Sequence, residues 1–392
     1  MSRFLGWVGV LLLSGLGWAQ SGQPKDPAKP PAAGAAAESP EAAALTPIIL
    51  RSTLQADSVV TLDQINGSVP SQTKCDPDGN VYGQFSTGST SALTRISADG
   101  RQPTSFPLSA VADLGDQNSS PPAVAEFAVG TDGSVYLLLR TRHQDSGDGP
   151  PSMEYRVVSF NSDGKYHSQF KLDDGLVLNR MAVFSSGDLM LAGNEPDPDV
   201  PLSDRRIPFA GVFDSSGRFM KEISMPRNLR SPDGSQNQSA PSNNWTRRDR
   251  FAVRGSAQGA DDGNVYLLPN VAGAPVYVLS QGGEIVRTIK LDSAADERLG
   301  MSVAAGRLIS WAQHVDSSRF RRTAAPAPEQ ASTVASGDSL FRIFNLQTGE
   351  LAAEYTASAD LGTFACYSYD GFVFLRQDQA TRHLQVVTAG PH

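Results

Sequence analysis

Cys75-Asp-Pro-Asp-Gly79-Asn-Val-Tyr82 is the first of six similar stretches that decide the fold of this 392-residue chain. Each stretch places a glycine-centred turn ahead of a short apolar run. The other five turns lie around Gly133, Gly187, Gly263, Gly306 and Gly371. Asp-Gly ahead of β-branched or aromatic residues is typical of a β-hairpin, because glycine readily adopts the positive φ that such turns require. The sequence therefore predicts six hairpins.

A second apolar run that ends in a turn follows five of these hairpins. These runs are Ile96 to Gly100, Phe160 to Gly164, Phe213 to Gly217, Leu279 to Gly283 and Phe344 to Gly349. Two successive hairpins form a four-stranded antiparallel sheet. The spacing between repeats is uneven, but long inserted loops add little entropic cost, so the pattern still indicates a repeat protein.

The residues just after each turn glycine decide how these sheets pack. Two and three positions after the glycine, both residues are apolar in every repeat: Val81-Tyr82, Val135-Tyr136, Leu189-Met190, Val265-Tyr266, Leu308-Ile309 and Val373-Phe374. Neighbouring residues of a strand point to opposite faces, so both faces of each sheet are apolar. A sandwich sheet has one wet face, whereas a propeller blade is covered on both faces. The sequence predicts an all-β, six-bladed β-propeller of four-stranded antiparallel blades.

The ends of the chain indicate how the ring is closed. The last repeat ends shortly after His383 to Thr388 and lacks a fourth strand. Asp57 to Leu62 precedes the first hairpin and has no partner of its own. We predict that this N-terminal strand completes the last blade.

The repeat also resembles a known group of proteins. Asp-x-x-Gly-Asn-Val-Tyr followed by Val-x-x-Phe-Asp-x-x-Gly resembles the NHL-repeat and related six-bladed, TolB-like propellers, over roughly residues 56 to 389. These motifs are turn-and-strand signatures, so the resemblance implies a fold and says little about activity.

The first nineteen residues have the pattern of a signal peptide. Arg3 precedes the uncharged apolar run Phe4 to Leu16, and Gly17-Trp18-Ala19 supplies small residues for cleavage before Gln20. The run is too short to span a bilayer. We therefore predict a secreted or periplasmic protein with a signal peptide (1–19), a disordered Ala/Pro-rich linker (20–46) and a propeller (47–392).

Composition limits the partners and cofactors of the chain. Lys and Arg number 33 against 41 Asp and Glu, without a basic stripe, which disfavours nucleic-acid binding. Five histidines and two cysteines are few for a metal centre of these ligands. We expect no cofactor, no membrane span and a monomer.

Long insertions between the strands define a candidate recognition face. If the two tight turns of each repeat lie on one rim of the ring, the insertions lie on the other: 87–92, 109–123, 141–153, 194–208, 225–252 and 312–338. Loops on one face of a rigid scaffold commonly carry binding residues. For the Ser/Asn/Gln-rich tract 231–244 and the Ala/Pro-rich tract 323–336, disorder is the favoured interpretation.

Counting from the turn glycines places polar residues at the mouth of the central channel. Seven positions after the glycine lie Ser86, Arg140, Asn194, Asn270, Gln313 and Asp378; seven before it lie Gln72, Glu126, Arg180, Ser256, Leu299 and Phe364. The candidate ligand-binding residues are Glu126, Arg140, Arg180, Asn194, Asn270 and Gln313. Simple solvent exposure would produce the same polarity, so both interpretations stay open.

Three of these candidates suggest a ligand class. We predict that Arg140, Arg180 and Glu126 converge at the channel mouth and favour a zwitterionic or anionic ligand.

A cation site at the mouth is a competing interpretation. Propeller lactonases and hydrolases hold a calcium-like ion with acidic and amide side chains, and Glu126 and Asn179 could act in this way. However, Phe127-Ala128 replaces the Gly-Pro of that family, and Arg180 would repel a cation. We therefore predict no metal site.

Two classes of function remain open from the sequence. The first is a binding or scaffold protein of the cell envelope that holds a protein, peptide or glycan on the long-loop face. The second is a hydrolase or lyase with a site at the channel mouth, possibly metal-dependent. The sequence has no Gly-x-Ser-x-Gly, His-Glu-x-x-His or phosphate-loop motif, which favours the first class.

The two cysteines could join the first and last blades. Cys75 lies four residues before its turn glycine and Cys366 lies five before its own. A disulfide closing so long a loop would stabilise the fold by about 4 to 5 kcal/mol in the chain-entropy model. The one-residue difference can instead point the two side chains to opposite faces, so two free thiols are the alternative.

Overall fold

The structure of the chain is a computed structural model. It describes residues 49–66, 69–87, 90–97, 99–100, 103–114, 120–143, 152–173, 175–196, 206–223, 255–269, 275–291, 298–313 and 338–392. The predicted signal peptide and linker lie outside these residues. In the described ranges, no helix is both long enough and apolar enough to cross a bilayer.

The described chain consists of β-strands and two short 3-10 helices (Leu108–Ala110 and Ala359–Leu361). We group the strands into six units in chain order. Unit 1 contains β2 (Thr73–Cys75), β3 (Val81–Thr87), β4 (Thr90–Ile96) and β5 (Thr104–Phe106); unit 2 contains β6 (Ala123–Val129), β7 (Val135–His143), β8 (Ser152–Phe160) and β9 (Tyr166–Lys171). Unit 3 contains β10 (Val177–Val183), β11 (Leu189–Pro196), β12 (Arg206–Phe213) and β13 (Phe219–Glu222); unit 4 contains β14 (Ser256–Gly259), β15 (Val265–Leu268), β16 (Val276–Leu279) and β17 (Ile285–Ile289). Unit 5 contains β18 (Arg298–Ala304), β19 (Arg307–Gln313), β20 (Ser339–Asn345) and β21 (Leu351–Ala357); unit 6 contains β22 (Thr363–Ser368), β23 (Gly371–Gln377), β24 (His383–Pro391) and the N-terminal β1 (Leu50–Asn66).

Backbone pairing divides these strands into five sheets rather than the six separate sheets that the sequence predicted. Units 1 to 4 are four-stranded sheets, and units 5 and 6 share one eight-stranded sheet with the order β18-β19-β20-β21-β1-β24-β23-β22. The difference arises from β1, which is longer than the predicted closing strand. Its residues Leu54–Asn66 pair antiparallel with β24, while Leu50–Thr53 continue parallel to β21.

The first strands of the six units contact one another in a ring. The contacts run from β2 to β6, β10, β14, β18 and β22, and from β22 back to β2. Each first strand is also the edge strand of its sheet. The prediction of an all-β protein with a propeller arrangement is therefore confirmed.

The hydrophobic core lies between neighbouring units. Six clusters of buried side chains each combine residues from two adjacent units within the described chain. Val81 belongs to a cluster that includes Leu375 of unit 6, whereas the next residue, Tyr82, belongs to a cluster that includes Leu137 of unit 2. The paired apolar residues after each turn therefore serve two different interfaces, which explains why both faces of the strands are apolar.

Glycine at the turns also permits close approach between units. Gly217 has a φ of +89°, and a Cβ at this position would lie 2.2 Å from the Phe170 ring of unit 2. The turn residue is thus required both by its backbone conformation and by the neighbouring sheet.

The tyrosine of the repeat motif closes its own hairpin. Tyr82 is buried, and its hydroxyl donates a 2.9 Å hydrogen bond to Asp76 Oδ2 in the preceding turn. In unit 4, Tyr266 donates in the same way to Asp262 Oδ2 at 2.7 Å. Burial, followed by the effect of the nearby aspartate, raises the pKa of each tyrosine above its usual range.

These tyrosines should limit stability in alkali. A tyrosine whose pKa is raised by folding stabilises the protein fully below the unfolded-state pKa of about 10, and this stability is lost as the pH rises above that value. Above about pH 10, the free energy of unfolding should fall with a slope of up to about 1.4 kcal/mol per pH unit for each buried tyrosine. Tyr82→Phe should reduce the slope, measured by urea unfolding at a series of pH values. An equal slope in the variant above pH 10, relative to its own plateau near neutrality, would contradict this assignment.

The two cysteines occupy equivalent positions in units 1 and 6. Cys75 pairs across its hairpin with Val81, and Cys366 pairs with Val373; each valine is the second residue after a turn glycine. The last hairpin has one more residue between the cysteine and the valine, so the unequal spacing in the sequence does not change the register. The two cysteines form a disulfide with a Cα–Cα distance of 6.0 Å.

The disulfide predicts a definite thiol count. The chain, denatured without reductant, should contain no titratable thiol, and reduction should release both. Reduction should also lower the free energy of unfolding by up to about 5 kcal/mol, because the bond closes a long loop. Two titratable thiols before reduction would mean that strand pairing alone closes the ring.

Candidate functional site

A polar cavity of about 540 Å³ opens at the N-terminal ends of the six first strands. Residues from all six units line it. Each first strand begins at this end, and each second strand ends and each third strand begins there too, as the antiparallel order requires. The cavity is therefore on the predicted long-loop side. The tracts 231–244 and 323–336 of that side lie outside the described residues.

Glu126 projects into the cavity because β6 contains a bulge. Val124 pairs with Leu139 but Glu126 pairs with Leu138, so Ala125 is the extra residue. Such a bulge re-aims the following side chain, and bulges are frequent next to functional sites. The Glu126 carboxylate accepts a hydrogen bond from Gln72 Nε2 and another from the Phe127 amide at 3.1 Å.

Two cations contact the same carboxylate. Lys74 Nζ lies 3.1 Å from Glu126 Oε1, and it also lies 3.4 Å from the Met181 carbonyl oxygen. Arg180 follows an equivalent bulge in β10, at Asn179, and its Nη1 lies 3.7 Å from Glu126 Oε2. The ammonium of Lys74 is also 5.5 Å from the centre of the Phe127 ring, which is within the range of a cation–π contact.

The cations, and not the acid, face the open part of the cavity. The side chain of Glu126 is 3% exposed, that of Lys74 is 19% exposed and that of Arg180 is 32% exposed. Among the described residues that line the cavity, these three are the charged ones, which gives a net charge of one positive unit. The cavity therefore presents positive charge above a buried carboxylate.

An aromatic wall completes the cavity. Trp311 and Phe364 line it and make an edge-to-face contact with a 4.7 Å distance between ring centres. Gly300, opposite Trp311 on β18, leaves room for the indole, because a Cβ there would lie 2.1 Å from a ring carbon. Units 5 and 6 carry this wall, and in the ring of first strands they lie across the channel from units 2 and 3, which carry Glu126 and Arg180.

Side chains in the channel also link every pair of neighbouring first strands. We call these contacts the channel girdle. Gln72 and Lys74 of unit 1 contact Glu126 of unit 2, and Glu126 contacts Arg180 of unit 3. Arg180 Nε donates to the Gly255 carbonyl at the start of unit 4, and Gln258 of unit 4 bonds the Val303 backbone of unit 5. Ser302 of unit 5 accepts from the Tyr367 amide of unit 6, and Thr73 of unit 1 donates to the Ala365 carbonyl of unit 6. The Cys75–Cys366 disulfide reinforces the last junction.

The predicted site residues fall into two groups. Glu126 and Arg180 lie together in the cavity, as predicted. Arg140 is exposed on β7, three residues before the strand ends, and Asn194 is half-buried on β11; neither lines the cavity. Both are on second strands, one strand further from the axis, so the predicted convergence of Arg140 with Glu126 and Arg180 is not seen.

The two remaining candidates lie at the limits of the described chain. The backbone of Gln313 ends β19, its side chain is not described, and Asn270 is outside the described residues. The count of seven positions from each turn glycine missed Lys74 and Trp311, which line the cavity. Lys74 could have been found two residues after Gln72, on the same face of the strand.

Glu126, which the alternative interpretation assigned to a cation site, is already paired with two cationic side chains. Glu126 is in contact with Lys74 and Arg180, and Asn179 lends its carbonyl to Arg180 Nη1 at 2.5 Å. Over the ranges that the structure describes, no group of three or more His, Cys, Asp and Glu side chains could hold a metal ion.

Comparison with known proteins gives only distant similarities. No protein-family model and no curated protein sequence matches the chain. The WD40 domain of Pan2 from Neurospora crassa is 11% identical over 88% of this chain and 98% of that one, with a TM-score of 0.38. A gluconolactonase from Xanthomonas campestris is 14% identical over 61% of this chain and 67% of that one, with a TM-score of 0.30.

Part of a larger enzyme is also similar to this chain. Prolyl oligopeptidase B from Galerina marginata is 11% identical over 81% of this chain, with a TM-score of 0.41. The chain covers 42% of that enzyme. Similarity at this level indicates nothing about activity.

Neutralising Glu126 should weaken the whole fold. Glu126→Gln keeps the shape of the side chain but leaves Lys74 and Arg180 without their carboxylate, and breaking a buried ion pair costs about 3 kcal/mol. The free energy of unfolding, measured with urea, should fall by this order. The matched control is Asp163→Asn, which removes the exposed pair with Lys165 and should leave stability unchanged. Equal stability of Glu126→Gln and the wild type would show that the girdle does not hold the ring together.

Proposed function

We propose that this chain is an exported six-bladed β-propeller that binds a ligand at the mouth of its central channel, as a binding protein of the cell envelope. The count of six blades treats units 5 and 6 as separate blades joined by β1. Support for this count comes from the ring of six first strands and from the six clusters between adjacent units.

Export is inferred from the N-terminal pattern of Arg3, the apolar run Phe4 to Leu16 and Gly17-Trp18-Ala19. The Cys75–Cys366 disulfide is consistent with an oxidising compartment. The proposed location is therefore the periplasm or the exterior.

The cavity is the observation that carries the proposed function. Its volume of about 540 Å³ lies within the range of small-molecule sites, and its wall combines aromatic side chains with a few charged and hydroxyl groups. The proposed ligand is one end of a glycan or peptide, held between the charged wall of units 1 to 3 and the aromatic wall of units 5 and 6. Arg140, Asn194, Asn270 and Gln313 are proposed as outer contacts on the same long-loop side.

Filling the cavity should abolish binding without unfolding the protein. Thr363 is exposed and lines the mouth, so Thr363→Trp should occupy it. Thr131 is exposed in a tight turn at the opposite end of the first strands, so Thr131→Trp is the matched control.

The measurement is the melting temperature in the presence of libraries of oligosaccharides and peptides, since a ligand that binds the folded state raises it. Compounds that stabilise the wild type and Thr131→Trp should not stabilise Thr363→Trp. Equal stabilisation of both tryptophan variants would place the binding site outside the channel mouth.

A further inference from the structure

We infer that the group bound in the cavity is a sugar residue with a single negative charge, such as a uronic acid or a sugar sulfate ester. This inference rests on the proposed function and specifies its ligand. Three features of the cavity lead to it: the sign of the exposed charge, the hydroxyl groups around the mouth and the aromatic wall.

The charge of the site selects an anion. Arg180 and Lys74 are partly exposed in the cavity, whereas Glu126 is buried and in contact with both, so an entering group meets the two cations first. Their shared carboxylate compensates for one of the two positive charges, and a monoanionic group would compensate for the other. The chain as a whole has a net charge of −8. Screening limits that overall field to about 8 Å at physiological salt, so the local cations dominate inside the cavity.

The polar side chains at the mouth suit a ligand with many hydroxyl groups. Ser71, Ser256 and Thr363 line the cavity from units 1, 4 and 6. A hydroxyl can both donate and accept a hydrogen bond, so these residues can match the hydroxyl groups of a sugar in several directions. An aromatic carboxylate could use the charged wall and the aromatic wall, but it would leave these hydroxyl groups without a ligand partner.

The aromatic wall suits the apolar face of a sugar ring. Trp311 and Phe364 lie across the channel from Arg180 and Glu126, in units 5 and 6. A pyranose carries C–H groups on its faces and hydroxyl groups around its edge. It can therefore pack against Trp311 while its charged substituent points to Arg180 and its hydroxyl groups point to the serine and threonine side chains.

Trp311 provides a direct signal for binding. The sequence contains four tryptophans, and Trp7 and Trp18 are removed with the predicted signal peptide. In the exported chain with Trp245→Phe, Trp311 is then the single tryptophan. Its fluorescence is titrated with D-glucuronate, glucose 6-sulfate and glucose, up to millimolar concentrations.

The expected result is a saturable change with an anionic sugar and an affinity for glucose that is weaker by roughly tenfold or more, as expected for loss of a charge-assisted contact. Tighter binding of D-glucuronate would indicate a uronic acid as the ligand, and tighter binding of glucose 6-sulfate would indicate a sulfate ester. Arg180→Gln should bring the affinities for the anionic sugar and for glucose close together. Arg180→Lys, which keeps the charge, should retain the preference.

The control is Arg218→Gln, which removes an exposed arginine beside the tight turn at Gly217, outside the cavity, and should leave all three titrations unchanged. Because the preference is a ratio measured within one folded protein, a general loss of stability in Arg180→Gln does not imitate the result. Equal binding of glucose and the anionic sugars, no saturable change with either anionic sugar, or an unchanged preference in Arg180→Gln would each overturn the inference. If Thr363→Trp still blocks another ligand, only the ligand class is wrong; if no ligand depends on the mouth, the proposed function fails as well.

Discussion

The structure depends on how six edge strands are held around one axis. Each first strand pairs with the second strand of its own sheet, and it is the edge strand on the channel side. Unpaired edges are unfavourable unless other groups cover them. In this chain, side chains of the channel girdle link neighbouring first strands, and the Cys75–Cys366 disulfide links the two units at which the ring closes. The apolar clusters between sheets stabilise the outer part of each interface, and the girdle stabilises the inner part.

The girdle explains why one carboxylate is buried in a polar channel. Glu126 contacts groups from both adjacent units, through Gln72 and Lys74 on one side and Arg180 on the other. A buried charge is tolerated only when it is paired and hydrogen-bonded. Because Glu126 holds both cations in place, the contacts that close the ring also set the positive charge of the cavity. Stability and ligand selection are thus properties of the same side chains in our account.

The sequence contained most of the fold and part of the site. Turn glycines such as Gly79 and Gly133 indicated the hairpins, because they mark backbone conformations that few other residues adopt. The residues Val81 and Tyr82 indicated two-sided packing. The parallel pairing of Leu50–Thr53 with β21 carries no turn signal, so it could not be read from the sequence. Counting placed Glu126 and Arg180 correctly because both follow bulges at the same offset, but it treated second-strand residues such as Arg140 as equally near the axis. It also left the cysteine pairing open. The last hairpin has one more residue than the first, and the sequence does not show that the turn takes up this residue without shifting the strand register.

The most direct test of this account is a double-mutant cycle between Lys74 and Glu126. Lys74→Met, Glu126→Gln and the double variant are compared with the wild type by urea unfolding. If the girdle links the first strands, the two effects should be non-additive, with a coupling energy of about 1 to 3 kcal/mol, because each single variant leaves the other partner without its buried ion pair. Additivity within about 0.5 kcal/mol would contradict the account, since side chains that do not share an interaction add in this way.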